Sequence, residues 1–207
     1  MARTTLLVKD ATGVNRTLVA DIDASGNIVP MHSADTNRPM YRASAVFTPQ
    51  PTGAVVLLRI KGSATKTVRI TRIAMEGVST ANANVPFALQ RESDEGAGGT
   101  VVTPTVGKLD TTFADATAVV KHFTTTLVAA GTAVGGPLTS GYLTTNIVTT
   151  PTIAVKPRVL FPEEGCLGQS IVLRGAADYL VVKNTNAGNL SAGTVLGYTV
   201  EWIEDDS

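Results

Sequence analysis

The first residues whose spacing could support chemistry lie near the N-terminus, in residues 21–28. Asp21, Asp23 and Ser25 supply oxygens at positions one, three and five of a calcium-binding loop, and a glycine follows at position six. The twelfth position, where such a loop has a bidentate Glu, is His32. We therefore expect a turn in which the Asp and Ser oxygens accept hydrogen bonds from nearby backbone amides, and we assign no metal ligand.

Nucleophilic chemistry has few candidates in this chain. His32 and His122 are the two histidines, and Cys166 is the single cysteine. No G-x-S-x-G nucleophile turn is present. The carboxylates of residues 163–164 precede Cys166 and would disfavour ionisation of its thiol, which leaves less of the reactive thiolate. We expect both histidines to be ordinary residues, either on the surface or with part of their hydrogen-bonding capacity satisfied. The cysteine is expected to be packed or to lie in a loop, and the carboxylates to be solvated loop charges. No catalytic residue is expected.

An acidic run precedes a glycine-rich stretch. Glu92, Asp94 and Glu95 could in principle form an acid–base group, but in this setting we expect solvated loop charges. Residues 96–99 (Gly-Ala-Gly-Gly) lack the Lys and the following helix of a phosphate-binding loop. They predict a mobile loop and no cofactor site.

One strand carries a basic face. We expect Lys66, Arg69 and Arg72 to point outward on the run of residues 66–76, where they could meet phosphate or an acidic partner. Three charges on one strand are more often solvated, or protect an exposed sheet edge from pairing. Within the same run the apolar positions slip by one residue, which predicts a β-bulge.

Composition limits the class of protein. Hydrophobic residues make up 43% of 207 residues, enough for a sizeable core, and aromatics make up 5%, so the core must be mainly aliphatic. Charged residues make up 16% and the net charge is zero, which gives no basic excess for nucleic acid and no polybasic segment for a membrane. One cysteine excludes an intrachain disulfide. No signal-peptide pattern is visible at the N-terminus, so we expect synthesis in a cytoplasm.

Short alternating runs between turn residues predict an all-β fold, an antiparallel β-sandwich of the jelly-roll kind. Residues 92–117 are expected to be loop, and residues 114–120 could alternatively open a short helix. The predicted strands of the body are residues 43–48, 54–60, 66–76, 85–91, 118–124, 141–148, 157–161, 169–174, 177–183 and 194–203.

Two regions follow from these patterns. Residues 1–40 contain two short strands, 5–9 and 16–20, and a polar linker, which predicts a small N-terminal β-hairpin arm. Residues 41–207 form the predicted sandwich body. Such an arm cannot bury much surface by itself, so we expect it to dock on its own body or on a neighbouring subunit.

The last thirty residues contain the clearest alternation in the chain. Residues 177–183 and 194–203 flank a cluster of turn residues, which predicts a two-stranded antiparallel ribbon. The inward positions of its second strand are predicted to be Leu196, Tyr198, Val200 and Trp202. We therefore expect this strand to close a core.

Two sets of segments resemble structural proteins of tailed bacteriophages. Residues 7–13 and 23–30 contain Val-Lys-Asp-x-x-Gly and Asp-x-Ser-Gly-Asn, and are similar to the small N-terminal β-arm of such proteins. A further set looks like a phage virion protein family encoded among head and tail genes: residues 62–73, 116–121, 172–175 and 200–202.

The resemblance implies a non-enzymatic virion component and supplies no catalytic, cofactor or metal residue. We expect a homo-oligomer, a trimer, that decorates or cements the capsid and binds the major capsid protein or another virion protein through its arm. No nucleic-acid or membrane partner is expected. The resemblance does not separate a capsid from a tail location.

Two other functions compete with this one. A tail- or head-fibre adhesin would bind a host receptor through its loops, but sugar binding usually needs exposed aromatics, and the candidates are few: Tyr41, Phe113 and Tyr142. A hydrolase built on His32 or His122 is disfavoured by the sparse nucleophilic residues.

Overall fold

The computed structural model describes residues 2–9, 15–22, 38–49, 56–80, 83–125, 129–147, 157–162, 170–185, 190 and 193–206. The chain divides into two compact units, Met1–Arg38 and Pro39–Ser207. No helix occurs in these ranges, which confirms the all-β prediction.

The N-terminal unit contains an antiparallel hairpin. Strand β1 spans Ala2–Lys9 and β2 spans Asn15–Ile22, with Leu6 opposite Leu18. The predicted hairpin is confirmed, and its strands are longer than residues 5–9 and 16–20. The predicted runs omit residues 2–4 at the start of β1 and both ends of β2.

The body contains twelve strands within the described ranges, and their bounds follow. They are β3 Met40–Phe47, β4 Val56–Lys61, β5 Lys66–Ser79, β6 Ala83–Glu92, β7 Val101–Val102, β8 Val106–Lys108, β9 Val119–Phe123, β10 Thr139–Ile147, β11 Arg158–Phe161, β12 Ile171–Arg174, β13 Tyr179–Asn184 and β14 Val195–Asp206.

These strands form two mainly antiparallel sheets packed together. The first sheet has the order β8-β3-β14-β5, and β11 and β12 pair with the other edge of β5. The second sheet has the order β7-β9-β4-β13-β6-β10. The end of β10 joins them, because Asn146 and Ile147 run parallel to Val78 and Ser79 of β5. The predicted sandwich is therefore confirmed.

The main core lies between the sheets and is closed by β14. Leu196, Tyr198, Val200 and Trp202 are all buried, as the alternation predicts. The Trp202 indole stacks on the Tyr41 ring with centroids 5.7 Å apart. The remaining core is mostly aliphatic, in agreement with the low aromatic content.

The predicted closing ribbon is wrong. Strand β13 pairs with β4 and β6 in the second sheet, whereas β14 pairs with β3 and β5 in the first. The two strands therefore lie in opposite sheets. A cluster of turn residues shows that the chain changes direction, but it does not select the next strand as hydrogen-bonding partner.

The predicted bulge in β5 is confirmed. Val200 pairs with Ile73 and Glu201 with Arg72, but Trp202 pairs with Ile70, which leaves Thr71 as the extra residue. The Thr71 hydroxyl donates to the Glu201 carbonyl over 3.0 Å. The bulge returns the following apolar residues to the core face.

Residues 92–117 are mostly irregular, as predicted, but they contain the short strands β7 and β8. The alternative helix over residues 114–120 is wrong, because Val119 and Val120 begin strand β9. Strands β7 and β8, of two and three residues, are the two ends of the strand order.

Candidate functional site

Several residues chosen from the sequence lie outside the described residues. For the calcium-like loop the structure gives only the backbone of Asp21, at the end of β2, and residues 23–37 are not described. Cys166 and the carboxylates of residues 163–164 are also outside. Where the structure describes the chain, no three His, Cys, Asp or Glu side chains come together as a metal-binding group.

His122 is buried, so the alternative of a surface histidine is wrong. The other alternative, a histidine with part of its hydrogen-bonding capacity used, agrees with the one side-chain contact found among the described residues. Its Nδ1 lies 3.1 Å from the Tyr198 hydroxyl, and its ring packs on Phe47 with centroids 4.6 Å apart. Burial lowers the pKa of His122 and raises the pKa of Tyr198, because both charged forms lose their hydration. The pair is therefore a neutral contact between the sheets.

The acidic run of Glu92, Asp94 and Glu95 differs from the predicted solvated loop more than any other segment considered from the sequence. Glu92 was predicted to be a solvated loop charge, yet it is fully buried. It accepts a hydrogen bond from Arg59 Nη2 over 3.0 Å, and Lys183 Nζ lies 2.6 Å from its other oxygen, away from hydrogen-bonding geometry. Arg59 is equally buried, with side-chain exposure of 1%. This cluster, Arg59, Glu92 and Lys183, is named the buried charge cluster below.

Aromatic rings complete the surroundings of Arg59. Its guanidinium carbon lies 5.1 Å from the centre of the Phe123 ring and 5.8 Å from that of Tyr179. Its Nε and Nη1 have no hydrogen-bond partner in the described part of the molecule. Cation–π attraction, which strengthens when the cation is desolvated, offsets part of the cost of burying this charge.

Two loop segments cover the buried charge cluster on the outer face of the second sheet. Residues 93–100 and residues 129–134 are linked by paired backbone hydrogen bonds between Ala97 and Ala129. Asp94 accepts hydrogen bonds from the amides of Gly96 and Thr132. A hydrogen bond from the Thr132 side chain, together with these two amide bonds, holds the pKa of Asp94 below its usual range. Residues 93–100 and 129–134 are together called the loop cover.

Gly131 shows how closely the loop cover fits. A Cβ atom at this position would lie 2.4 Å from the Asp94 carbonyl oxygen and 2.6 Å from Glu92 Oε2. The Lys121 ammonium also hydrogen-bonds Glu95, which lowers the pKa of that carboxyl. All three acidic residues are therefore used to attach loops, and the glycine-rich stretch leads into strand β7 and not into a helix.

A second buried carboxylate was missed from the sequence. Glu204 accepts hydrogen bonds from the amides of Thr117 and Ala118, from the Thr117 hydroxyl and from the Trp202 indole. The alternation of β14 continues past Trp202 to Glu204, and this phase was the available signal. Glu204 therefore ties residues 117–118 to the core strand.

The predicted basic face exists, but it is not an exposed edge. Strand β5 lies inside the first sheet, and its three basic side chains meet carboxylates of β14. The pairs are Lys66 with Asp206, Arg69 with Asp205, and Arg72 with Glu201, which also binds Arg42. Neighbouring carboxylates thus neutralise most of the charge that could have attracted a phosphate.

The outer surfaces of the two sheets carry different side chains. The first sheet has a shallow apolar groove of about 220 Å³, lined among others by Val46, Glu76 and Gly197. Gly197 has no side chain to fill it, and Val46 beside it is 71% exposed. On the second sheet, Tyr142 is 59% exposed and stands opposite Pro86. Tyr41 is buried, so of the three aromatics considered for receptor binding it is excluded.

Comparison with family models, with curated proteins and with solved structures found no match to this chain. No helix among the residues described is long and apolar enough to cross a membrane.

Proposed function

We propose that this chain is a non-enzymatic structural protein of a tailed-bacteriophage virion, which decorates or cements the capsid through self-association and an N-terminal anchoring arm. The observation that carries the proposal is the strand order. We infer a jelly roll, an architecture used by viral capsid domains. A fold alone does not assign a function, so the use of the charged residues must agree with it.

The inference of a jelly roll follows from eight strands of the body. In chain order they are β3, β4, β5, β6, β10, β12, β13 and β14, and they may be counted from one to eight. The first sheet then has the order 1-8-3-6 and the second 2-7-4-5. Pairing the first strand with the last and the second with the seventh is the arrangement of two Greek keys folded together.

The buried ionisable groups support a structural role. Glu204 accepts several hydrogen bonds, among them those of residues 117–118, and Glu92 is paired with the cations Arg59 and Lys183. His122 is held neutral against Tyr198. An acid–base group that works on a substrate needs access to it. These three groups are enclosed by the protein and hold its own loops and sheets together.

The arm supports the anchoring part of the proposal. The hairpin belongs to a compact unit that ends at Arg38, just before β3 begins at Met40. A small unit of this kind can bind a neighbouring protein while the body keeps its own core. The expected binding partner is the major capsid protein or another virion structural protein.

Locating the chain on an intact virion tests the proposed function. We expect density for the body on the outside of the capsid, repeated with the capsid lattice. Removing residues 1–38, with the melting temperature measured to verify the body, should abolish binding to particles. Full-strength binding without the arm would contradict the anchoring role, and absence of the chain from particles would contradict the whole proposal.

Tyr142 favours a second candidate, an adhesin of the tail or head fibres. Its ring is exposed on a sheet face, and jelly rolls also serve as lectins. A glycan array probed with the wild-type chain and with Tyr142→Ala tests this function. Binding that depends on Tyr142 would support the adhesin over the decoration protein.

A further inference from the structure

The outer face of β6 and β10 bears no charged side chain over four successive rows. The outward residues of β6 are Asn84, Pro86, Ala88 and Gln90, and those facing the same way along β10 and just before it are Leu138, Ser140, Tyr142 and Thr144. Tyr142 lies opposite Pro86, and the Thr144 hydroxyl donates to the Asn84 side chain over 3.0 Å. These eight residues are named the neutral face.

The neutral face continues into the adjoining loop. Val134 and Leu138 donate backbone hydrogen bonds to Arg91 and Leu89, so residues 134–138 follow the end of β6. Val134 and Leu138 are each 50% exposed. The sequence from His122 to Val155 contains no Asp, Glu, Lys or Arg, although charged residues make up 16% of the chain.

The opposite side of the sandwich has a different composition. The outer face of the first sheet carries cross-strand ion pairs, among them Arg42 with Glu201 and Arg69 with Asp205. Such pairs are typical of a solvated surface. Exposed aromatic and apolar residues without charges are typical of the centre of a protein interface. The neutral face is therefore the better candidate for a contact between proteins.

We propose that the neutral face is the surface on which a second copy of this chain docks. The argument is charge matching: an ionised group of a partner would lose its hydration here and gain no counter-charge from the eight residues of the neutral face. The nearest cations are already engaged, because Lys183 opposite Ala88 pairs with Glu92. Arg158 likewise donates to the Tyr142 carbonyl. The partner must therefore offer an uncharged surface rich in hydroxyl, amide and apolar groups. This chain presents such a surface itself, and its net charge of zero means that two copies do not repel each other.

This inference rests on the self-association in the proposed function and specifies where it takes place. The test introduces a carboxylate into the full-length chain at two exposed positions of the neutral face, Tyr142→Glu and Leu138→Glu. The matched control is Val46→Glu, which places the same charge at an exposed apolar position on the first sheet. Molar mass is measured by light scattering after size exclusion, and circular dichroism and melting verify the fold.

We expect the wild type and Val46→Glu to share one oligomeric mass, and both neutral-face variants to shift to the monomer with unchanged circular dichroism. Two folded neutral-face variants that keep the wild-type mass would overturn the inference. So would a monomeric wild type, or dissociation caused by Val46→Glu alone. A wild type that is monomeric in solution but bound to virions would refute this inference and the self-association, and would leave the virion location and the anchoring arm of the proposed function standing.

Discussion

Neutralising Glu92 is expected to destabilise the body more than any exposed charge substitution. In Glu92→Gln, Arg59 and Lys183 keep their charges beside a side chain that can no longer balance them. The carboxylate is fully buried, and the two cations are 1% and 12% exposed, so water cannot replace it. Each pair would contribute about 4 kcal/mol at 4 Å with an effective dielectric constant of about 20.

Desolvation offsets much of that attraction, so the expected net effect is smaller than the sum of the two pairs. Removing one partner of a buried ion pair typically costs about 3–5 kcal/mol. For a chain of this length that corresponds to a fall of roughly 6–20 °C in melting temperature. Urea unfolding of the full chain should show the same loss as a lower midpoint with an unchanged slope.

The matched control is Asp115→Asn, which breaks the pair between Asp115 and Lys108. The Asp115 side chain is 94% exposed, so the expected loss is under about 1 kcal/mol. Combining Glu92→Gln with Arg59→Met should cost less than the sum of the single changes, because the two groups interact directly. If Glu92→Gln is no more harmful than Asp115→Asn, the assignment of Glu92 as a buried anchor is refuted.

Three further predictions concern the core, the loop cover and pH. Trp202→Ala should lose about 3–5 kcal/mol in urea unfolding, because it leaves a cavity and removes a donor to Glu204; a loss under about 1 kcal/mol would contradict this. Gly131→Ala should lose about 1–3 kcal/mol because its Cβ would clash with Asp94 and Glu92, whereas Gly136→Ala, with nothing within 4 Å, should be neutral; equal effects would argue against the close fit. Burial lowers the pKa of His122, so below about pH 6.5 the unfolded chain takes up a proton that the folded chain does not. The contribution of neutral His122 to folding stability is therefore complete above about pH 6.5 and is lost as the pH falls towards the pKa of the folded state. The stability difference between pH 7.5 and pH 5.5 should therefore be smaller in His122→Phe than in the wild type, and an unchanged difference would exclude His122 as its source.

Local alternation predicted the faces of the strands well. The inward positions of β14 and the bulge at Thr71 follow directly from which residues are apolar. Successive side chains of a strand point to opposite faces, so this pattern depends on the strand itself and on one buried side. The same alternation places Glu204 on the buried side of β14, but a search for apolar residues alone does not select it.

Pairing and loop burial could not be predicted in the same way. Strand β14 pairs with β3 and β5, both far earlier in the chain, and no local pattern near β14 identifies them. Glu92 is followed by other acidic residues and glycines, as in an exposed loop. Its burial depends on residues 129–134, which fold over it from a distant part of the chain. Both outcomes are decided by tertiary contacts.

The placement of charges also predicts how the association of copies should respond to salt. An interface through the first sheet would involve ionised groups such as Arg42, Arg72 and Glu76, and raising the salt concentration from about 0.1 M to 1 M would weaken it by shortening the screening length from about 10 Å to 3 Å. Contact through the neutral face involves no charge pair, so sedimentation at the two concentrations should give the same mass. A mass that falls with salt would place the contact on the charged side of the sandwich. A constant mass, together with dissociation by Tyr142→Glu, is the combination that only an uncharged contact explains.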